Sequence, residues 1–128
     1  MEVRCASNPK DVKHYTTDRL REEFHISGLF TADHVKMVYS HIDRIITAGA
    51  MPVEKELTLE AGKELAADFF LQRREMGCIN IGGEGVIVVD GSEYVMNPRD
   101  GIFIGMGNQE ITFRCTDPQR YSRNSKPP

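Results

Sequence analysis

The run GKELAADFFLQRREMGCINIGGEGVIVVDGSEYVMNPRDGIFIGMGNQEITFR, Gly62 to Arg114, alternates short apolar segments with glycine-rich breaks. Asp90-Gly91 sits between Val86–Val89 and Glu93–Met96. It predicts a hairpin, because a two-residue turn needs positive φ at both central positions and Asp-Gly supplies them cheaply. Asn97-Pro98 and Asp100-Gly101 then turn the chain into IFI, and Gly105-Met106-Gly107-Asn108 turns it again into EITF. In LAADFFLQRRE, Leu65, Ala67, Phe69 and Leu71 fall on one side and Ala66, Asp68, Phe70 and Gln72 on the other, which predicts a central strand. Short strands separated by such turns predict an all-β protein, an antiparallel jelly-roll barrel. A parallel α/β fold is disfavoured, since no amphipathic helix separates the strands.

Working outward, Val53, Leu57 and Leu59 alternate with Glu54, Glu56, Thr58 and Glu60, the pattern of a half-buried strand that Ala61-Gly62 stops. Further upstream, HVKMVYSHIDRIITAGAMP carries Val35, Met37 and Tyr39, then Ile42, Ile45 and Ile46. It predicts a pair of short strands closed by the Gly49 to Pro52 break. Thr17 to Phe24 predicts a short helix, with Thr17 as cap and Leu20 and Phe24 on one side. The expected organisation is an N-terminal arm over 1–34, a barrel over 35–116 and a linker over 117–128. The tail CTDPQRYSRNSKPP supports the linker, being poor in apolar residues with Pro118 to Pro128 as the joint toward a further domain.

A chain of 128 residues has core material for one domain. Its formal charge of -3, from 16 Lys+Arg against 19 Asp+Glu, offers no cationic field for a phosphate backbone, so nucleic acid is not an expected partner. Cys5, Cys78 and Cys115 form no CxxC pair, and an odd count argues against a disulfide framework. The start MEVRCASNPKDVKHYTTDRL lacks the pattern of a signal peptide, and no apolar run reaches the ~18 residues of a membrane span. A cytoplasmic location and no membrane partner are expected.

The spacing Gly62, Asp68, Phe70, Glu75, Gly82 resembles the first cupin motif, in which the positions of Asp68 and Phe70 are both histidine. Gly105, Gly107 and Glu110 resemble the second motif, with Gly105 at the usual proline and Glu110 at the usual histidine. A cupin metal site works because alternate residues of adjacent strands share an inward face. Phe70 cannot ligate, so the expectation is a degenerate site with no metal. Asp68, Glu75 and Glu110 leave open an oxygen-rich site for a hard divalent ion, against ordinary polar roles at a barrel mouth.

Among other candidates, His41, Asp43 and Arg44 in SHIDRII suggest a local acid, base and clamp, although in a strand His41 and Asp43 point one way and Arg44 the other. Structural ion pairing is the competing reading. Arg73 and Arg74 are candidates for contact with an anion or substrate, against an ion-pair patch with Glu75. His14, His25 and His34 have no ligand-spaced companion and are read as surface residues. Gly82-Gly83-Glu84-Gly85 lacks the Gly-Lys-Ser/Thr ending and following helix of a phosphate loop. Cys78 is read as a buried structural thiol, and Met37, Met76, Met96 and Met106 as core.

The runs MVYSHIDRII (Met37 to Ile46), FFLQRREMGCINIGGEG (Phe69 to Gly85) and VDG (Val89 to Gly91), with Met51-Pro52, resemble the N-terminal half of the 4-deoxy-L-threo-5-hexosulose-uronate ketol-isomerase family, over Leu20 to Phe113 in order and spacing. That resemblance implies two cupin-type halves in a longer, hexameric chain that interconverts 5-dehydro-4-deoxy-D-glucuronate and 3-deoxy-D-glycero-2,5-hexodiulosonate in pectin breakdown. It implies zinc held by three histidines and a glutamate in the C-terminal half, none of which maps onto this sequence. The partners it implies are the C-terminal half, further copies of the chain and a small acidic sugar. Two other readings stay open on the residues alone: a free-standing cupin that binds acidic sugars without chemistry, and a small carboxylate-metal enzyme.

Overall fold

The computed structural model describes residues 1–116; the linker expected over 117–128 lies outside them. The chain opens with strand β1 (Glu2–Arg4) and two helices, α1 (Pro9–Val12) and α2 (Thr17–Phe24). The Asn8 side chain accepts from the Lys10 amide and caps α1. Helix α2 spans the residues expected, but its cap is Thr16 rather than Thr17: the Thr16 hydroxyl accepts from the Arg19 amide at 3.3 Å. Only a residue with extended backbone, outside the helix, can turn its side chain onto those first amides, and Thr16 has it, at ψ 168. Leu20 and Phe24 remain exposed, so the apolar stripe of α2 does not reach the core.

Strands β2 (Val35–Ser40) and β3 (Ile45–Ala50) are the expected pair of short strands, and they pair antiparallel, in register from Val35 opposite Ala50 to Ser40 opposite Ile45. Parallel pairing of β1 with β2 completes a three-stranded sheet. Its position depends on two local devices. A Cβ on Gly49 would meet the Leu29 carbonyl oxygen at 2.7 Å, so β3 passes under residue 29 only because it carries glycine there. The Asp33 carboxylate accepts the amides of Val53, Glu54 and Lys55 and ties the entry of β2 to the turn that follows β3.

The second sheet runs in the order β4 (Leu57–Thr58), β9 (Ile111–Cys115), β6 (Gly85–Val89), β7 (Ser92–Met96). The predicted hairpin is β6–β7: Val89 faces Ser92, and Asp90 and Gly91 both take positive φ, 46 and 85. The apolar run of β6 fits its central place, with Val86, Ile87 and Val89 buried. A third sheet pairs β5 (Met76–Ile79) with β8 (Gly101–Ile104). The core gathers Leu57, Leu59, Ile87, Val89, Met96, Ile104, Ile111 and Phe113 from these strands, with Phe70 and Leu71 from the loop before β5.

Three expectations need correction. The molecule is β-rich and cupin-like, but the sheets are separate and mixed, and among the described residues they do not close into a barrel. The strand expected over Val53 to Glu60 is hydrogen-bonded only at Leu57–Thr58. The central strand expected over Leu65 to Gln72 is absent: a 3-10 turn (Lys63–Leu65) ends at Ala66, which is left-handed at φ 47, and bends follow to Arg73. No ladder forms there: the Gln72 amide bonds the Phe69 carbonyl and the Asp68 amide the Gln72 side chain, while the Leu71 carbonyl takes an isolated bond from the Gly107 amide. Backbone groups satisfied within a turn are not available to a ladder. Phe70 and Leu71, adjacent and both buried, break the alternation a strand would impose.

Candidate functional site

The residues proposed as degenerate metal positions do not converge. Asp68 is exposed on the turn, Phe70 is buried in the core, and Glu75 is exposed just before β5. Glu110 is exposed beside the β6–β7 hairpin, its amide donating to Asp90 Oδ1 at 2.8 Å. An inward-facing row at Asp68 and Phe70 required the strand that the Ala66 turn replaces. Among the described residues no group of three or more His, Cys, Asp or Glu is placed to hold a metal ion, so these side chains do not fit a zinc centre.

His41, Asp43 and Arg44 lie in the turn between β2 and β3 rather than on a strand, so the alternating directions expected of them do not apply. Asp43 and Arg44 both adopt positive φ, 60 and 54, and no hydrogen bond links His41 to Asp43 among the described residues. The His41 ring stands edge-on to Tyr39, centroids 4.7 Å apart, and its amide donates to the Arg4 carbonyl at 2.9 Å. Arg74 packs on the same ring. Its guanidinium lies 5.0 Å from the Tyr39 ring centroid, and Nη1 donates to the Arg44 carbonyl at 3.2 Å. The cluster therefore forms around Tyr39, which carries no motif signal of its own; the only hint was its place two residues before His41.

Tyr39, Arg44, Arg73, Arg74 and Glu75 share a cleft of about 610 Å3 that Phe70 and Met76 also line. Its volume falls in the range of small-molecule sites. Arg44 and Arg73 are exposed and Arg74 half-buried, and none of the three is ion-paired among the described residues. The expected ion-pair patch of Arg73 and Arg74 with Glu75 is not formed. A guanidinium offers five donors in a planar fork matched to carboxylate geometry.

A second cavity, about 370 Å3, lies between β3 and strands β5 and β6 and is mostly apolar, lined by Phe30, Val35, Ile46, Leu59 and Phe113. Cys78 opens onto it, half-buried, and burial pushes its thiol pKa up, against thiolate formation. The Gly82–Gly85 loop on its rim is organised by Asn80, whose Nδ2 donates to the Gly83 and Met96 carbonyls while Oδ1 accepts the Gly82 amide. This loop is a side-chain-braced turn, and the Asn-x-Gly sequence was the available signal. The histidines read as surface residues, His14, His25 and His34, are exposed. Of the four methionines read as core, Met96 is buried in the core cluster and Met37 and Met76, partly buried, pack against that cluster, but Met106, on the turn before β9, is 61% exposed.

No protein-family model matches the chain. Individual relatives do. A 4-deoxy-L-threo-5-hexosulose-uronate ketol-isomerase of Lachnoclostridium phytofermentans is 58% identical over 130 residues, 99% of this chain and 47% of the relative. Proteins of the same name from Lachnospira eligens and Bacillus subtilis are 57% identical over 99% of the chain and 47% identical over 88% of it. The chain spans 46% and 41% of those two relatives, less than half the length of each.

Proposed function

The chain belongs to the 4-deoxy-L-threo-5-hexosulose-uronate ketol-isomerase family, matching its N-terminal part, and from that premise we propose that it serves as the N-terminal portion of such an enzyme. The reaction is the interconversion of 5-dehydro-4-deoxy-D-glucuronate and 3-deoxy-D-glycero-2,5-hexodiulosonate in pectin-derived uronate catabolism. The similarity over nearly the whole chain is the observation that carries this reading.

Within that enzyme this portion packs and assembles, as a β-rich, cupin-like unit over 35–116 joined through 117–128 to a C-terminal half that holds zinc, in a hexamer. The outward face of β5 and β8 supports a packing role: Ile79 is 71% and Phe103 68% exposed on it, apolar surface of a kind that partners cover. Zinc, when bound in the other half, polarises the substrate carbonyl for proton transfer between adjacent carbons. No step on this chain's residues runs through it. His41, Asp43 and Arg44 are proposed to reach the active site across a domain or subunit boundary.

One assay series tests both levels. The 128-residue chain alone should show no isomerisation of the keto-uronate with or without zinc, whereas the chain joined to the C-terminal portion of the L. phytofermentans relative should turn it over. His41→Ala in the joined protein should lower kcat about tenfold or more if the imidazole takes part in proton transfer. An inactive joined protein rejects the family function for this chain, and wild-type kinetics in His41→Ala remove His41 from the site.

A further inference from the structure

The β2–β3 turn spends conformational energy to place an arginine. A non-glycine residue in the left-handed region is strained by its Cβ, and glycine or asparagine would take that place more cheaply than the arginine at 44. Arg44 nonetheless takes it, at φ 54 directly after Asp43 at φ 60, and lines the cleft with Arg73 and Arg74. Arg74 is held in place by the Tyr39 ring and the Arg44 carbonyl, a posture that leaves other guanidinium donors available. Three guanidinium groups with no ion-pair partner among the described residues, in a chain whose formal charge is -3, form a local positive field set against the overall balance.

We propose that this cleft is a binding site for a small carboxylate-bearing sugar, with Arg73 and Arg74 holding the carboxylate, Arg44 closing the positive rim and Glu75 accepting from sugar hydroxyls. Phe70 and Met76 lend apolar lining to the same cleft, of the kind a pyranose face packs against. The site lies on this chain itself and is separate from any metal. Choice of a sugar acid rather than a simple anion rests on the ketol-isomerase reading; anion recognition by the arginines does not.

Calorimetric titration of the 128-residue chain with D-galacturonate, D-galactose and acetate tests the site. Galacturonate should bind saturably, with galactose and acetate each at least about tenfold weaker, and its affinity should fall with added salt. Arg73→Gln should weaken galacturonate binding about three- to tenfold, and Arg73→Lys by less, because an exposed charge pair adds modest energy and bidentate geometry adds more. Arg73 is exposed and its side chain makes no hydrogen bond or ion pair among the described residues, so its loss is read on binding rather than folding. No galacturonate binding, equal binding of galactose, equal binding of acetate, or full affinity in Arg73→Gln would each overturn the proposal. Galacturonate binding in a chain whose joined form is inactive would uphold the site while rejecting the isomerase function; activity with unchanged binding in Arg73→Gln would do the reverse.

Discussion

Asp33 gathers three backbone amides on one carboxylate oxygen, those of Val53, Glu54 and Lys55, at 2.9 to 3.0 Å. Chiefly the Val53 amide, then that of Lys55, holds its pKa below the ordinary carboxylate value. A carboxyl depressed in the folded state contributes stability that is present above the unfolded pKa and is lost as pH falls through the folded one. Thermal unfolding followed across the acid range should therefore show the wild type losing stability as pH drops, with a shallower dependence in Asp33→Asn, which keeps the acceptor without the titration. Parallel pH profiles would remove Asp33 from the account. Asp33 and Asn80 were missed in the sequence for the same reason: each acts through backbone groups, which no side-chain motif reports. The arginines of the cleft were legible singly, but Tyr39, which draws His41 and Arg74 together, was not.

At the level of elements, the β6–β7 hairpin was legible because its turn chemistry is local: Asp90-Gly91 has one cheap conformation between two β-branched runs. The β2–β3 pair was legible for its apolar spacing and the Gly49–Pro52 break. Leu65 to Gln72 misled because its alternation of apolar residues suits a strand, while the event that cancels it, Ala66 turning left-handed, leaves no mark in the residue type. What the segment does instead is plug the core. Leu71 is fully buried, and its carbonyl accepts the Gly107 amide at 2.8 Å, pinning the loop to the turn before β9. Leu71→Ala should cost about 2–5 kcal/mol in denaturant unfolding, the cavity value for a core leucine. A loss within about 0.5 kcal/mol, as for a surface change, would show that the segment is not anchored there.

For the whole molecule, the missing barrel closure and the missing metal constellation have a common origin. The turn at Ala66 takes Asp68 and Phe70 off any ladder, so the positions that resemble a cupin's first motif divide between solvent and core. The glycine spacing of the motif was a sound guide to the β-rich architecture and a poor guide to which side chains meet. On the function proposed above, the chain contributes packing surface and an arginine-lined cleft to a longer enzyme and leaves the Lewis acid to another part. Zinc content by elemental analysis, on the 128-residue chain and on the chain joined to its relative's C-terminal portion after identical zinc loading and desalting, tests that division most directly. The account predicts about one zinc per joined polypeptide and none retained by the chain alone; a stoichiometric zinc on the 128-residue chain would contradict it.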